Sequence, residues 1–299
     1  MPANEKQYCS KGESIMIIPL FPEGKEKCLT LSYDDGVTQD RRFVALLNQY
    51  HLKATFNLNS GCFGKSALAN GFSKPVTHNK INASEVKSLY SGHEVAVHTR
   101  THPHLEYLSS ESIAYEIRTD RENLENLVNY PVTGMAYPFG TYNKLVLEEV
   151  KKAGIQYSRT VQSTKTFALP QDFLCWHPTC HFGEDGMESL LQRFLYSSQE
   201  SCEQSILKVF YLWGHSYELD GNDTWEKMED FCQKVSHQKD IWYATNIEIV
   251  EYQSALKRLI FSENKQIIKN PSALPVWLMI DHKIIKINGG ETIFSTNRI

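Results

Sequence analysis

Short apolar runs and segments with helical periodicity take turns along most of this chain, and this alternation constrains its fold more than any other feature. Strand-like runs occur at residues 28–32, 54–58, 94–97, 132–136, 156–160, 208–213 and 241–245. Helical periodicity occurs at residues 39–50, 84–90, 109–129, 143–153 and 225–235. Such alternation is typical of a parallel sheet covered by helices. The sequence therefore predicts an α/β fold, in which seven strands fit either an incomplete (β/α) barrel or an open doubly wound sheet.

The last forty or so residues follow a different pattern. After a predicted helix at residues 247–260, short β-like runs occur at residues 266–269, 275–280, 283–287 and 292–295. The tripeptide Asn288-Gly289-Gly290 is typical of a hairpin turn between two of these runs. We therefore expect two parts, a main domain over residues 1–260 and a small antiparallel β extension over residues 261–299.

Composition and charge exclude several classes of partner. The 299 residues carry a formal net charge of −4, which provides no basic surface for nucleic acid. The apolar stretch at residues 15–21 is too short to span a bilayer. It also lacks a basic stretch before it and a small-residue cleavage site after it, so we expect no signal peptide. Seven cysteines without a recognisable pairing pattern indicate reduced thiols. We therefore expect a cytoplasmic protein without nucleic-acid or membrane partners, and a homo-oligomer is left open.

Carboxylate and imidazole side chains follow two of the predicted strands. Asp34 and Asp35 come after the run at residues 28–32, and His98 and His102 come after the run at residues 94–97. Because the carboxyl ends of parallel strands share one edge, these four side chains should converge. One carboxylate and two imidazoles are a common ligand set for a hydrolytic metal, and the second carboxylate is then free to act as a base. The pattern predicts a metal-dependent hydrolase.

Each motif also has a simpler interpretation. Asp-Asp-Gly is common in turns, because Asp bonds its own backbone and Gly adopts positive φ. A second pair of histidines, His177 and His181, has the same spacing as the first, so spacing alone does not select a metal site. The strand context favours His98 and His102, since Pro178 interrupts the other pair.

In their order and separation, these motifs resemble those of the polysaccharide deacetylases, the NodB-like carbohydrate esterases. That family has a strand ending in Asp-Asp-Gly, matched at residues 34–36, and a His-(Ser/Thr)-x-x-His element, matched at residues 98–102. Its Arg-x-Pro-(Tyr/Phe)-Gly element is matched in part at residues 136–140, and its Leu-x-His element at residues 212–215 with one residue inserted. The resemblance covers residues 27–252 and implies a distorted (β/α) barrel of seven strands.

The resemblance also implies a role for each polar residue. Three residues would hold a divalent metal: Asp35, His98 and His102. The metal would be zinc, or else cobalt, nickel or manganese. Asp34 would be the catalytic base, and His215 would be the general acid that protonates the departing amine. The backbone N–H of Phe139 would stabilise the oxyanion.

Aromatic residues near the same motifs could line a groove for a sugar. We expect seven residues to contact the substrate: Tyr137, Pro138, Phe139, Tyr142, Trp176, His177 and Trp213. Aromatic faces can stack on pyranose rings, although aromatic residues at strand ends are also common in protein cores.

Position 136 departs from the family pattern. It holds Ala136, where many members carry an arginine that orients the catalytic aspartate. Without that charge, the pKa of Asp34 should be higher and its orientation looser. Another cation must take its place or activity will be weak, and both Arg100 and Arg159 are candidates. The side chain that supports His215 is not evident from the sequence.

We therefore expect a metal-dependent hydrolase that removes N-acetyl or O-acetyl groups from a carbohydrate, with an N-acetylglucosamine-containing glycan as the expected substrate. Two alternatives are left open: a hydrolase of another C–N bond in a small amide or ureide on the same scaffold, and a catalytically weak carbohydrate-binding relative. An open cleft would favour a polymer, and a lidded pocket would favour a small molecule.

Overall fold

The structure, a computed structural model, describes residues 16–196 and 207–295, which divide into two units. The larger unit lies within residues 25–254, and the smaller combines residues 16–24 with residues 255–295. Among the described segments, none of the helices has both the length and the apolarity needed to cross a bilayer.

Strands and helices are numbered in chain order over these residues. The strands are β1 (Ile17–Leu20), β2 (Lys27–Asp34), β3 (Thr55–Leu58), β4 (Leu68–Ala69), β5 (Val76–Thr77), β6 (Glu94–Val97), β7 (Gly134–Ala136), β8 (Tyr157–Arg159), β9 (Cys180–His181), β10 (Lys208–Gly214), β11 (Ile241–Tyr243), β12 (Ile260–Phe261), β13 (Ile267–Lys269), β14 (Val276–Ile280), β15 (Lys283–Ile287) and β16 (Thr292–Phe294). The helices are α1 (Asp40–Gln49), α2 (Val86–Leu89), α3 (Ser110–Val128), α4 (Lys144–Lys152), α5 (Met187–Tyr196), α6 (Ser216–Gly221), α7 (Trp225–Val235) and α8 (Asn246–Lys257).

A parallel sheet forms the centre of the larger unit. Its strand order is β8–β7–β6–β3–β2–β10–β9, and β11 pairs with the start of β2. Trp176 connects the two edge strands of this sheet, β8 and β9. Its N–H donates to the carbonyl oxygen of Ser158, and its own carbonyl oxygen accepts from the N–H of Thr160, both at 3.0 Å. Four residues later, β9 pairs with β10. The predicted α/β barrel is confirmed, all seven predicted strands are present, and the short β9 is added to them.

Strand β2 shows how the sequence positions the site. All eight of its residues are buried, as expected for a parallel strand covered on both faces. Leu29, Leu31 and Tyr33 belong to the hydrophobic core. Because side chains alternate along a strand, Thr30 and Ser32 face the other side, where they bond polar partners. Asp34 continues this polar row at the carboxyl end of the strand.

The smaller unit contains two antiparallel sheets, β1–β14–β15 and β12–β13–β16, so the predicted antiparallel β extension is confirmed. The hairpin predicted at Asn288-Gly289-Gly290 is wrong, because β15 and β16 lie in different sheets. The tight hairpin is β14–β15, whose connecting residues Asp281 and His282 both have positive φ (44° and 66°), as a type I′ turn requires. A division at residue 260 would place β1 with the main domain, whereas β1 pairs with β14.

Candidate metal centre and active site

Two acidic residues lie at the carboxyl end of β2, and the backbone directs their side chains differently. Asp34 is the last residue of the strand and is buried. Asp35 has a φ of 84°, and its N–H donates to the carbonyl oxygen of Asn57 at 3.0 Å. Gly36 follows with a φ of 59°, where a Cβ would lie 2.8 Å from a methyl group of Leu58. The tight turn therefore depends on glycine and gives the two carboxylates different neighbours.

The segment after β6 carries both motif histidines on a constrained loop. Thr99 and His102 have left-handed backbone conformations, with φ of 63° and 62°. The Nδ2 of Asn59 donates to the carbonyl oxygens of His98 at 2.6 Å and Thr99 at 3.0 Å. The N–H of His102 donates to Thr99 Oγ1 at 3.1 Å. Non-glycine residues keep such conformations only where their surroundings fix them.

Asp35, His98 and His102 converge in the larger unit. One donor atom from each lies within 4.8 Å of the other two. His98 Nδ1 donates to the carbonyl oxygen of Ala136 at 2.8 Å, which leaves Nε2 of the neutral ring as an acceptor. Burial lowers the pKa of His98, and burial together with the neighbouring His98 lowers the pKa of His102 to about 4. Both imidazoles are therefore neutral at neutral pH, and this donor set fits a divalent cation such as zinc.

Two further side chains bind Asp35, and sequence reasoning missed both. Lys80 Nζ donates to Asp35 Oδ1 at 2.9 Å, to the Asp35 carbonyl oxygen at 2.7 Å and to Asn59 Oδ1 at 3.3 Å. His78 Nε2 lies 3.0 Å from Asp35 Oδ2. Burial raises the pKa of Asp35, but the hydrogen bond to His78 and the charge of Lys80 outweigh it and hold this pKa well below its usual value. Asp35 is therefore ionised.

Arg159, at the end of β8, holds Asp34. Its buried guanidinium donates from Nη2 to Asp34 Oδ2 and from Nη1 to the carbonyl oxygen of Thr160 at 3.1 Å. Asn57 Nδ2 donates to Asp34 Oδ1 at 2.8 Å. Burial raises the pKa of Asp34, but the positive charges around it, that of Arg159 first, outweigh burial, so this pKa lies below its usual value.

The register of two strands explains why Arg159 can replace the missing motif arginine. Ala136 on β7 and Arg159 on β8 are direct partners, so their side chains lie on the same face. The small Ala136 side chain leaves room for a guanidinium supplied one strand further along. Arg100, the other candidate, lies over the ring of Tyr115 at 5.7 Å. The expected rise in the pKa of Asp34 is therefore wrong.

His215 follows β10 and approaches the same aspartate. Its Nε2 lies 3.9 Å from Asp34 Oδ2, and its Nδ1 lies 3.0 Å from Glu218 Oε1. The other Glu218 oxygen lies 2.9 Å from His181 Nε2. Burial favours the neutral imidazole, but Glu218 and the two aspartates outweigh it and raise the pKa of His215 to about 9. His215 is therefore protonated at neutral pH, the form that a general acid needs. Sequence reasoning missed Glu218, although it lies one helical turn after His215.

Comparison with known proteins finds a family that matches part of the chain. The family model described as polysaccharide deacetylase matches residues 22–158. The match covers just under half of the 299 residues, and over this segment the chain is similar to the polysaccharide deacetylase family. The chain is similar to the peptidoglycan-N-acetylglucosamine deacetylase PgdA of Listeria monocytogenes, with 28% identity over 152 residues, or 50% of this chain and 29% of that protein. The match therefore spans less than a third of the relative's length.

A solved structure has a similar fold. A protein of Mycobacterium smegmatis, described as a candidate polysaccharide deacetylase, superposes with a TM-score of 0.55 and 15% identity. The superposition covers 80% of this chain and 94% of that one. At this identity the likeness concerns the fold alone.

Two of the residues expected to contact substrate lie beside the polar cluster of the larger unit. Phe139 is 47% exposed, has a φ of 59°, and contacts the ring of His102 with centroids 4.6 Å apart. Trp213 is half-buried, and the guanidinium of Arg159 lies 4.6 Å from the centre of its ring. Tyr142 and His177 are also half-buried, and their contact with substrate stays a prediction.

Three of the expected contacts are buried in the larger unit. Tyr137, Pro138 and Trp176 are buried. The hydroxyl of Tyr137 donates to the carbonyl oxygen of Leu174 at 2.9 Å. Trp176 packs edge-to-face against Tyr211 with ring centroids 4.6 Å apart. This part of the prediction is wrong, because the large rings at these strand ends complete the core.

A second group of side chains that could hold a metal ion occurs within the described residues: His181, His215 and Glu218. Both oxygens of Glu218 are bonded to imidazole nitrogens, one to each histidine. We therefore interpret this group as a support for His215.

Proposed function

We propose that this protein is a metal-dependent hydrolase that removes N-acetyl groups from a glycan containing N-acetylglucosamine. The observation that carries the proposal is the convergence of three metal-binding side chains with a base and an acid. His98 Nε2 lies 3.8 Å from Asp34 Oδ2, and His215 Nε2 lies 3.9 Å from the same oxygen. All the groups that amide hydrolysis requires are thus within reach of one acetamido group.

Three residues would hold the metal: Asp35, His98 and His102. One carboxylate and two neutral imidazoles favour zinc. When bound, the metal supplies a Lewis acid for the acetyl carbonyl and lowers the pKa of a water molecule. Lys80 and His78, both bonded to Asp35, would orient that carboxylate.

The remaining steps belong to side chains and backbone of the chain itself. Asp34 takes the proton of the attacking water, because Arg159 keeps its carboxylate ionised and oriented. His215 gives a proton to the departing amine, and Glu218 keeps its imidazole protonated. The N–H of Phe139, in a left-handed turn, donates to the oxyanion that develops on the acetyl group.

The choice of sugar comes from the family and from one relative. The Listeria relative is described as a peptidoglycan-N-acetylglucosamine deacetylase. Because the similarity includes the segment that carries both motifs within residues 22–158, we propose the same acetylated sugar here.

Acetate release from N-acetylglucosamine oligomers by zinc-loaded protein tests this proposal. Asp34→Asn should keep the metal and lower turnover roughly 10²–10⁴-fold, as expected for a lost acid–base group. The double variant His98→Ala, His102→Ala should lose metal and turnover together. Metal retained at full stoichiometry in that double variant would contradict the ligand set.

The same substrates separate the alternatives. Hydrolysis of a small amide or ureide without acetate release from any oligomer would indicate a different C–N hydrolase on this scaffold. Oligomer binding without hydrolysis of either substrate class would indicate a catalytically weak carbohydrate-binding relative.

A further inference from the structure

Aromatic rings form a continuous series that begins at His102. The ring of His102 contacts that of Phe139, with centroids 4.6 Å apart. Phe139 stacks on His104 at 3.7 Å with an interplanar angle of 7°, and His104 contacts Tyr107 at 5.6 Å. Exposure rises outward, from a half-buried His102 to a Tyr107 that is 80% exposed. We call Phe139, His104 and Tyr107 the aromatic shelf.

Glu106 fixes the aromatic shelf in place. Its Oε1 accepts a hydrogen bond from Thr141 Oγ1 at 2.7 Å and lies 3.2 Å from His104 Nδ1. Its carbonyl oxygen accepts from Asn143 Nδ2 at 3.2 Å. These bonds tie the segment of His104 to the loop that carries Phe139. A ligand that binds rings held in this way loses little binding free energy to ordering them.

Packing does not account for the position of Tyr107. Burial stabilises the folded state only for a ring that leaves water, and most of this ring stays in solvent. An exposed aromatic face next to a polar site suits a ligand that has one apolar face and polar edges. Pyranose rings have this character, because their axial C–H groups form an apolar face and their hydroxyl groups point outward.

We propose that the aromatic shelf binds the pyranose rings next to the acetylated sugar, so that the substrate is an oligosaccharide or polymer. The inference rests on the proposed function, which places the acetyl group beside Asp34 and His102. Sugar units that continue from that position along the series would pass over Phe139 and His104 toward Tyr107. A free monosaccharide or small amide would leave the shelf unused.

Tyr107→Ala tests the proposal with the monomer and the pentamer of N-acetylglucosamine as substrates. Removing one aromatic contact should raise KM for the pentamer about 10-fold more than KM for the monomer, with little change in kcat. Tyr107→Trp, which restores an aromatic face, should recover most of the affinity for the pentamer.

Tyr196→Ala is the matched control. Tyr196 is 78% exposed, close to the value for Tyr107. It follows Leu195, whose carbonyl oxygen accepts from Lys27 Nζ at 2.7 Å. Because Lys27 begins β2 and Asp34 ends it, Tyr196 lies at the opposite end of the barrel. This variant should behave as wild type with both substrates.

Equal losses with monomer and pentamer, or no loss with either, would overturn the aromatic shelf. Calorimetric binding of the pentamer to Asp34→Asn, with and without Tyr107→Ala, separates this inference from the proposed function. Binding that depends on Tyr107, without acetate release by wild type, would support the shelf and contradict the deacetylase activity. Acetate release by wild type, with pentamer binding that does not depend on Tyr107, would support the deacetylase activity and contradict the aromatic shelf.

Discussion

The ionised state of the buried Asp34 depends mainly on Arg159. In Arg159→Ala, burial would act without its main opposing charge, so the pKa of Asp34 should rise. A general base works above its pKa, so the acid limb of the kcat/KM profile should move to higher pH. At neutral pH the rate should fall roughly 10²-fold or more. A pH–rate profile of the purified variant measures both effects.

Two related variants show whether charge or geometry matters at this position. Arg159→Lys keeps the charge but loses the two-pronged donor, so its acid limb should lie closer to that of wild type. Ala136→Arg in the Arg159→Ala background restores a guanidinium in the position that the family motif favours, and it should recover part of the activity. An acid limb unchanged in Arg159→Ala would show that Asp34 does not need this partner.

His215 should set the alkaline limb of the same profile. Burial alone would lower its pKa, but the hydrogen bond and charge of Glu218, with the charges of Asp34 and Asp35, raise it to about 9. The protonated form is the active one, so activity should fall as pH rises through about 9. Glu218→Gln should move this limb to lower pH, whereas Glu226→Gln, at an exposed position, should not. A limb that stays in place in Glu218→Gln would assign it to another group.

The ammonium group of Lys80 lies 2.9 Å from a carboxylate oxygen of Asp35. A divalent cation bound by Asp35 would be repelled by this positive charge. Lys80→Met should therefore lower the metal Kd, by about 10-fold or more given the strength of charge interactions in a protein. Competition with a chelator measures this Kd, and Lys65→Met, at an exposed position, is the control. Weaker metal binding in Lys80→Met would show that Lys80 acts mainly by orienting Asp35.

At the scale of elements, helix α3 supports the histidine loop with two acidic residues. Asp120 accepts hydrogen bonds from the N–H groups of Ser60 at 2.7 Å and His98 at 3.1 Å. Glu116 accepts from the N–H of Thr101 at 2.8 Å and from its hydroxyl at 2.7 Å. Residues four apart lie on one face of a helix, so α3 presents both carboxylates to the same loop.

Asp120→Ala should reduce stability and metal binding together. The N–H of Ser60 would lose its acceptor, at about 1–3 kcal/mol. The N–H of His98 would keep only its bond to the carbonyl oxygen of Leu58, at 3.0 Å, so His98 would be held less firmly. Thermal unfolding and metal stoichiometry measure the two effects. Glu122→Ala, exposed on the same helix, should change neither. A folded Asp120→Ala protein with full metal content would show that the loop keeps its shape without this support.

The elements that could be predicted were those with a strong local pattern. Each predicted strand lies within two residues of the observed one, because buried parallel strands are almost continuously apolar. Helix α5 was missed although Met187, Leu190, Leu191 and Phe194 are buried at helical spacing, so the signal was present. Helix α6 has only six residues, which is too short for periodicity to show.

The residues of the candidate site likewise divide into those with a local sequence signal and those without one. The motif aspartates and histidines could be predicted, because each pair follows its own strand. Arg159 could not be ranked against Arg100, since its role depends on the register that pairs it with Ala136. Lys80 gave no sequence signal either, because only the folded chain brings its loop to Asp35.

At the scale of the whole chain, the sequence predicted a parallel barrel but neither its closure nor the position of the first strand. The barrel edges meet at Trp176, in a segment between β8 and β9 that has no regular period. Strand β1 lies beside β14, where the N–H of Met16 donates to a carboxylate oxygen of Asp281, 265 positions away. Pairing over such a separation leaves no local trace in the amino-acid order.

Several non-glycine residues at the site have left-handed backbone conformations: Asp35, Thr99, His102 and Phe139. Each such conformation costs on the order of 1–3 kcal/mol, which the rest of the fold must offset. A lineage that no longer needed catalysis would therefore gain stability by accepting glycine or asparagine at these positions. We expect such replacements to accumulate there early in evolutionary decay. The residues at these positions should then distinguish catalytically active homologues from inactive ones, even where overall sequence identity is too low to distinguish them.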